Sequence, residues 1–123
     1  MTMTYKSPEI GQEISCVMKG IQKELLLNND KLKLILKQVL KKNKFTILKS
    51  IYKAFSSQGF TALILLAESH LAIHTYPEYN SIYFNLYSCR GPKDAEATFN
   101  LVKKQLNPKE VLFYKENQIP IVS

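Results

Sequence analysis

Residues 60–87, FTALILLAESHLAIHTYPEYNSIYFNLY, decide the fold. The first eight, Phe60 to Ala67, are a nearly continuous apolar run, the pattern of a central strand buried on both faces. Leu71 to Tyr76 is again extended, and Pro77 to Asn80 supplies turn residues. Ser81 to Tyr87 then alternates, with Ile82, Phe84 and Leu86 on one side and Ser81, Tyr83, Asn85 and Tyr87 on the other. Strand, turn and strand in that order predict a hairpin. Just upstream, Phe45 to Ala54 carries Phe45, Thr46, Ile47, Ile51 and Tyr52 and reads as a further strand, closed by the turn at Ser56 to Gly59.

Helices flank this block. Leu32, Ile35, Leu36, Val39 and Leu40 recur at helical spacing behind Asn29 and Asp30, whose side-chain oxygens suit an N-cap. Lys31, Lys33, Lys37, Lys41 and Lys42 lie mostly off that stripe. Pro92 is expected to open a second helix, with Asp94 and Glu96 in its first turn and Ala95, Phe99, Val102 and Leu106 as its buried stripe. Asn107-Pro108 stops it, and Val111 to Tyr114 reads as a last strand. Near the start, Ile14 to Met18 reads as a short strand, and Ile21 to Leu27 fits either a helical turn or a loop. The order β-α-β-β-β-β-α-β predicts an α+β two-layer sandwich: a mostly antiparallel sheet with two helices on one face. Face-to-face dimerisation through the sheets is the simplest cover for the other face.

The chain has 123 residues, the size of a single domain spanning 1–123, with 46% hydrophobic and 22% charged residues. That composition excludes a disordered tail, a collagen-like chain and a disulfide-stapled miniprotein. Seventeen basic against ten acidic residues give a net charge of +7. Arg90 is the only arginine, so no nucleic-acid partner is expected, because bidentate base and phosphate contacts favour arginine. Lys23 to Lys53 holds nine lysines against Glu24 and Asp30, and reads as a solvated helix face with charged loops. A non-enzymatic regulatory or basic binding protein is the alternative from another class. Cys16 and Cys89 are too few for a disulfide framework and suggest reduced thiols. Residues 1–11 are polar and lack the apolar core of a secretory leader, and Phe60 to Ala67 is far short of a membrane span. A cytoplasmic location without membrane contact is therefore expected.

The chemistry gathers in Glu68 to Glu78, where both histidines of the chain, His70 and His74, lie four residues apart. Three readings compete. The first is a metal site from His70, His74 and Glu78; on a strand the two histidines share a face but stand about 13 Å apart, too far to chelate one ion. The second is a serine hydrolase using Ser69 and His74, which lacks the G-x-S-x-G elbow. The third is self-processing at Glu68-Ser69, in which the serine hydroxyl attacks the carbonyl just ahead of it and an imidazole moves the protons.

Glu68-Ser69-His70, then Ile73-His74-Thr75, Pro77-Glu78 and a cysteine twenty residues after the serine resemble the short prokaryotic S-adenosylmethionine decarboxylase proenzymes. The resemblance covers nearly the whole chain and is strongest from Phe55 to Gly91. It implies that Ser69 attacks the Glu68 carbonyl to give an ester, and that β-elimination and hydrolysis then leave a pyruvoyl group and release ammonia. The products would be a β chain of residues 1–68 and an α chain of residues 69–123. His74 matches the base of the elimination. Thr61 matches a hydroxyl residue that assists processing, although it needs a turn of the chain to approach the scissile bond. The mature enzyme would bind its small-molecule substrate through a Schiff base to the pyruvoyl cofactor and use its conjugated carbonyl as electron sink. Cys89 matches the proton donor. The resemblance also implies a homodimer of cleaved protomers and a role in polyamine (spermidine) biosynthesis.

Phe55 and Tyr76 match aromatic positions that contact the adenine or the sulfonium cation, and Glu78 matches the carboxylate that holds the ribose hydroxyls. Tyr76 stands where the family usually has tryptophan, Lys53 where a histidine is common, Ser57 for a usual proline and Glu13 for a histidine. These departures surround the substrate pocket, so arginine or ornithine decarboxylation by the same chemistry is the alternative activity. Glu13 is the candidate carboxylate for the distal cation of such a substrate.

Overall fold

The computed structural model describes residues 6–122; the first five residues of the polar lead-in lie outside the described residues. Six strands form one sheet in the order β2-β3-β4-β5-β1-β6, antiparallel at each of its five ladders. The strands are β1 (Ile10–Lys19), β2 (Ile47–Ala54), β3 (Phe60–Leu66), β4 (Ser69–Tyr76), β5 (Ser81–Ser88) and β6 (Glu110–Pro120). A short helix α1 (Lys23–Leu26), α2 (Asn29–Lys42) and α3 (Ala95–Leu106) complete the α+β sandwich. The element order matches expectation, with α1 resolving the ambiguous stretch after β1 as helix.

The core lies between the sheet and the helices α2 and α3. Alternate residues of each inner strand point into it: Phe60, Ala62, Ile64 and Leu66 of β3, Leu71 and Ile73 of β4, Ile82, Phe84 and Leu86 of β5, and Ile14, Cys16 and Met18 of β1. The expected stripes of both helices are buried against them. Only one face of β3 is buried, however: Leu63 is 45% and Leu65 52% exposed. The apolar run suggested burial on both sides, but both packed helices cover the same side of the sheet and leave these leucines on the other.

Helix boundaries differ from expectation for local reasons. Asn28, not Asn29 or Asp30, caps α2, its side chain accepting the Lys31 N–H at 3.0 Å. Helix α3 begins at Ala95 rather than at Pro92, because Asp94 is drawn into contacts with Ser88 and Arg90. The Ala95 N–H is capped instead by Gln12 Oε1 of β1 at 2.8 Å. Gln12 is fully buried, and its amide nitrogen donates to Glu116 at 2.8 Å. β1 and β6 are both longer than expected because they pair with each other from Ile10↔Pro120 to Lys19↔Glu110. A one-residue bulge interrupts that ladder where Phe113 takes a φ of 53°.

Candidate active site

The register divides the expected site residues into two groups. β3 and β4 are joined through Ala67 and Glu68, with Leu66 opposite Ser69 at the turn and Thr61 opposite His74 at the far end. Glu68 has a φ of 58°, a left-handed conformation that costs a side-chain-bearing residue on the order of 1 kcal/mol. The Ala67 N–H donates to the Thr46 carbonyl at 3.0 Å, and the Ser7 hydroxyl donates to the Glu68 carboxylate.

Ser69 follows this turn and is buried. Its Oγ accepts the backbone N–H of Cys89, at the end of β5, at 3.0 Å. The buried Cys89 thiol lies 3.9 Å from the Ala67 carbonyl oxygen. Thus Ser69, Cys89 and the Glu68-Ser69 peptide meet at one end of the sheet.

The second group occupies the other end. Thr61 Oγ1 and His74 Nδ1 are 3.0 Å apart, and the imidazole lies tilted against the Tyr83 ring, with centroids 6.1 Å apart. A cleft of about 480 Å³ is lined by Phe55, Ser57, Thr61, His74, Tyr76 and Glu78. Phe55, Tyr76, Glu78, Thr61 and His74 are therefore neighbours. The two groups are distant within one chain: five residues along β4 place His74 on the opposite face from Ser69 and about 16 Å away.

His70 shares the outer face of β4 with His74 but has separate partners. Its Nε2 lies 2.9 Å from Asn85 Oδ1, and its ring stacks on Tyr87. Each imidazole thus has a neighbour of its own, and neither is directed at a shared ligand position. Glu13 lies on the row of Tyr87 and His70, away from the cleft.

Sequence reasoning missed two residues that organise this end of the molecule. Arg90 binds across to the end of α2, and Gln12 caps α3 behind the Cys89 loop. A lone arginine beside a candidate catalytic cysteine was a visible signal for the first. Nothing local marks the second, since its partners are 83 and 104 residues away.

Comparison with known proteins assigns the chain to a family. The S-adenosylmethionine decarboxylase family description matches residues 12–117, from the first strand into the last. The fold and this match define a decarboxylase. The chain belongs to the S-adenosylmethionine decarboxylase family. The S-adenosylmethionine decarboxylase proenzyme of Archaeoglobus fulgidus is 30% identical over 105 residues, covering 85% of this chain and 94% of that protein. The proenzyme of Thermoplasma volcanium is 32% identical over 102 residues, covering 83% and 78% respectively. The crystal structure of the Aquifex aeolicus adenosylmethionine decarboxylase superposes with a TM-score of 0.84 at 27% identity, covering 97% of this chain and 96% of that one.

Proposed function

We propose that this chain is a self-cleaving, pyruvoyl-dependent decarboxylase of S-adenosylmethionine that supplies aminopropyl groups for polyamine synthesis in the cytoplasm. The observation that carries the reading is Ser69: its buried oxygen accepts a backbone N–H directly after a residue held left-handed. Attack by Oγ on the Glu68 carbonyl exchanges the amide for an ester and frees the amine of residue 69. The Cys89 N–H favours the oxygen as it gives up its proton. Loss of the Ser69 Cα proton then expels the Glu68 carboxylate and leaves dehydroalanine; water replaces the nitrogen, ammonia departs and a ketone remains. Ser69 therefore fits as the source of the pyruvoyl group.

A base must take that Cα proton, and His74, set by Thr61, is the candidate. Because His74 of the same chain is remote, the reading requires a second copy. The outer sheet face exposes Ile51, Leu63 and Leu65, around an apolar hollow of about 310 Å³. A two-fold-related chain packed there buries these residues and sets the Thr61–His74 end of one hairpin against the Ser69–Cys89 end of the other. The active unit is on this reading a homodimer of cleaved protomers, residues 1–68 and 69–123.

The pyruvoyl group supplies an electrophilic carbonyl that accepts the electron pair left by departing CO₂. On this reading Cys89 of the same chain returns a proton, while Phe55 and Tyr76 in the cleft beside the second copy's His74 offer ring faces to a sulfonium cation. Glu78 in the same cleft suits the ribose hydroxyls. Glu13, which an arginine or ornithine pocket would call on, stands outside the cleft.

Mass spectrometry of purified protein tests the reading. A fragment beginning at residue 69 with a ketone in place of its amine is expected, and CO₂ release from S-adenosylmethionine. A chain that stays whole refutes self-cleavage; release from arginine or ornithine alone refutes the substrate.

A further inference from the structure

Arg90 makes a dense set of contacts for a residue with no part in the chemistry above. Its Nη1 donates to the Lys44 carbonyl at 3.0 Å, its Nη2 to the Asn43 carbonyl at 2.9 Å and its Nε to the Asp94 carboxylate at 2.8 Å. The guanidinium carbon lies 3.6 Å from the centre of the buried Phe45 ring. Asn43 is the C-cap of α2, where carbonyls lack intrahelical partners and attract a cation. Asp94 also accepts the Ser88 hydroxyl at 2.7 Å, and Ser88 Oγ accepts the Arg90 N–H at 3.2 Å.

Both neighbours of Cys89 are thus locked. The anchor is tied to the scissile turn as well, because Thr46, next to Phe45, accepts the Ala67 N–H. Arg90 thus ties the β5–α3 loop to the end of α2 directly, and to the β3–β4 turn through Phe45 and the neighbouring Thr46. We infer that Arg90 is a positioning residue for self-cleavage: its clamp on the Cys89 loop keeps the Cys89 N–H on Ser69 Oγ. The fork geometry matters, since a lysine is a point donor that cannot span two carbonyls and a carboxylate while lying flat on a ring.

The inference rests on the self-cleavage proposed above, and cell-free synthesis followed by gel time courses separates the two. Arg90→Ala is expected to cleave about ten- to a hundredfold more slowly than wild type, the loss of one hydrogen bond to a developing charge. Arg90→Lys is expected to resemble Arg90→Ala, and Asp94→Asn to fall between Arg90→Ala and wild type. Guanidinium ion below denaturing concentration should restore part of the Arg90→Ala rate, whereas sodium chloride at equal ionic strength should not. Val102→Ala, a core change remote from the turn, controls for lost stability, with urea midpoints measured in the uncleavable Ser69→Ala background. The clamp is overturned if folded Arg90→Ala keeps the wild-type rate, or if Val102→Ala slows cleavage equally at matched stability. If wild type fails to cleave, or Ser69→Ala cleaves, the self-cleavage reading itself falls.

Discussion

At the scale of single residues, Ser69 and Cys89 are joined through a backbone N–H and a hydroxyl, so their side chains can be tested separately. Ser69→Ala should leave the chain whole yet folded, read as one gel band with unchanged far-ultraviolet circular dichroism. Cys89→Ala retains the N–H and should still cleave, while CO₂ release from S-adenosylmethionine falls by at least about tenfold if the thiol is the proton donor proposed above. Cleavage lost in Cys89→Ala would assign the thiol to processing. Cys16, in contrast, is a core residue whose thiol is pushed up to about 11 by burial, with Lys103 offsetting part of the rise. A thiol that holds its proton more tightly when folded contributes stability in full below its ordinary value of 9.0, and that stability is lost as pH rises towards 11. Urea midpoints should therefore fall between pH 9 and 11, and the fall should flatten in Cys16→Ala.

At the scale of elements, what was legible depended on whether the signal was local. The α2 stripe and the alternation of Ser81 to Tyr87 were readable because side-chain periodicity mirrors backbone geometry. The length of β6 was not. Lys115, Glu116, Asn117 and Gln118 have no strand pattern and are extended because they pair with β1. The start of α3 is not legible locally, because its first N–H is capped by Gln12 from β1. Gln12→Ala removes that cap and leaves the Ala95 N–H buried without its acceptor, which should destabilise the precursor by about 1–3 kcal/mol. Urea denaturation of the Ser69→Ala precursor with and without the change measures it, and a shift near zero would show that Gln12 is dispensable to α3.

For the whole molecule, the separation of Ser69 from His74 makes a sharp prediction. If the base comes from a second copy, mixing Ser69→Ala with His74→Ala precursors should restore cleavage in the His74→Ala chains, although neither cleaves alone. A mixture that stays uncleaved after subunit exchange would return the base to the same chain. Leu65→Lys, which sets a charge on the exposed outer face, should shift the protein towards monomer in sedimentation and slow cleavage with it. By itself the sequence determined the strands, the helical stripes and the stretch that holds the chemistry, because each is written in residues near one another along the chain. Only the tertiary structure decided that Leu63 and Leu65 face outward, that Arg90 grips the end of α2, and that Ser69 and His74 lie at opposite ends of one hairpin. Those outcomes depend on which side the helices cover and on strand register, both set by contacts between distant segments.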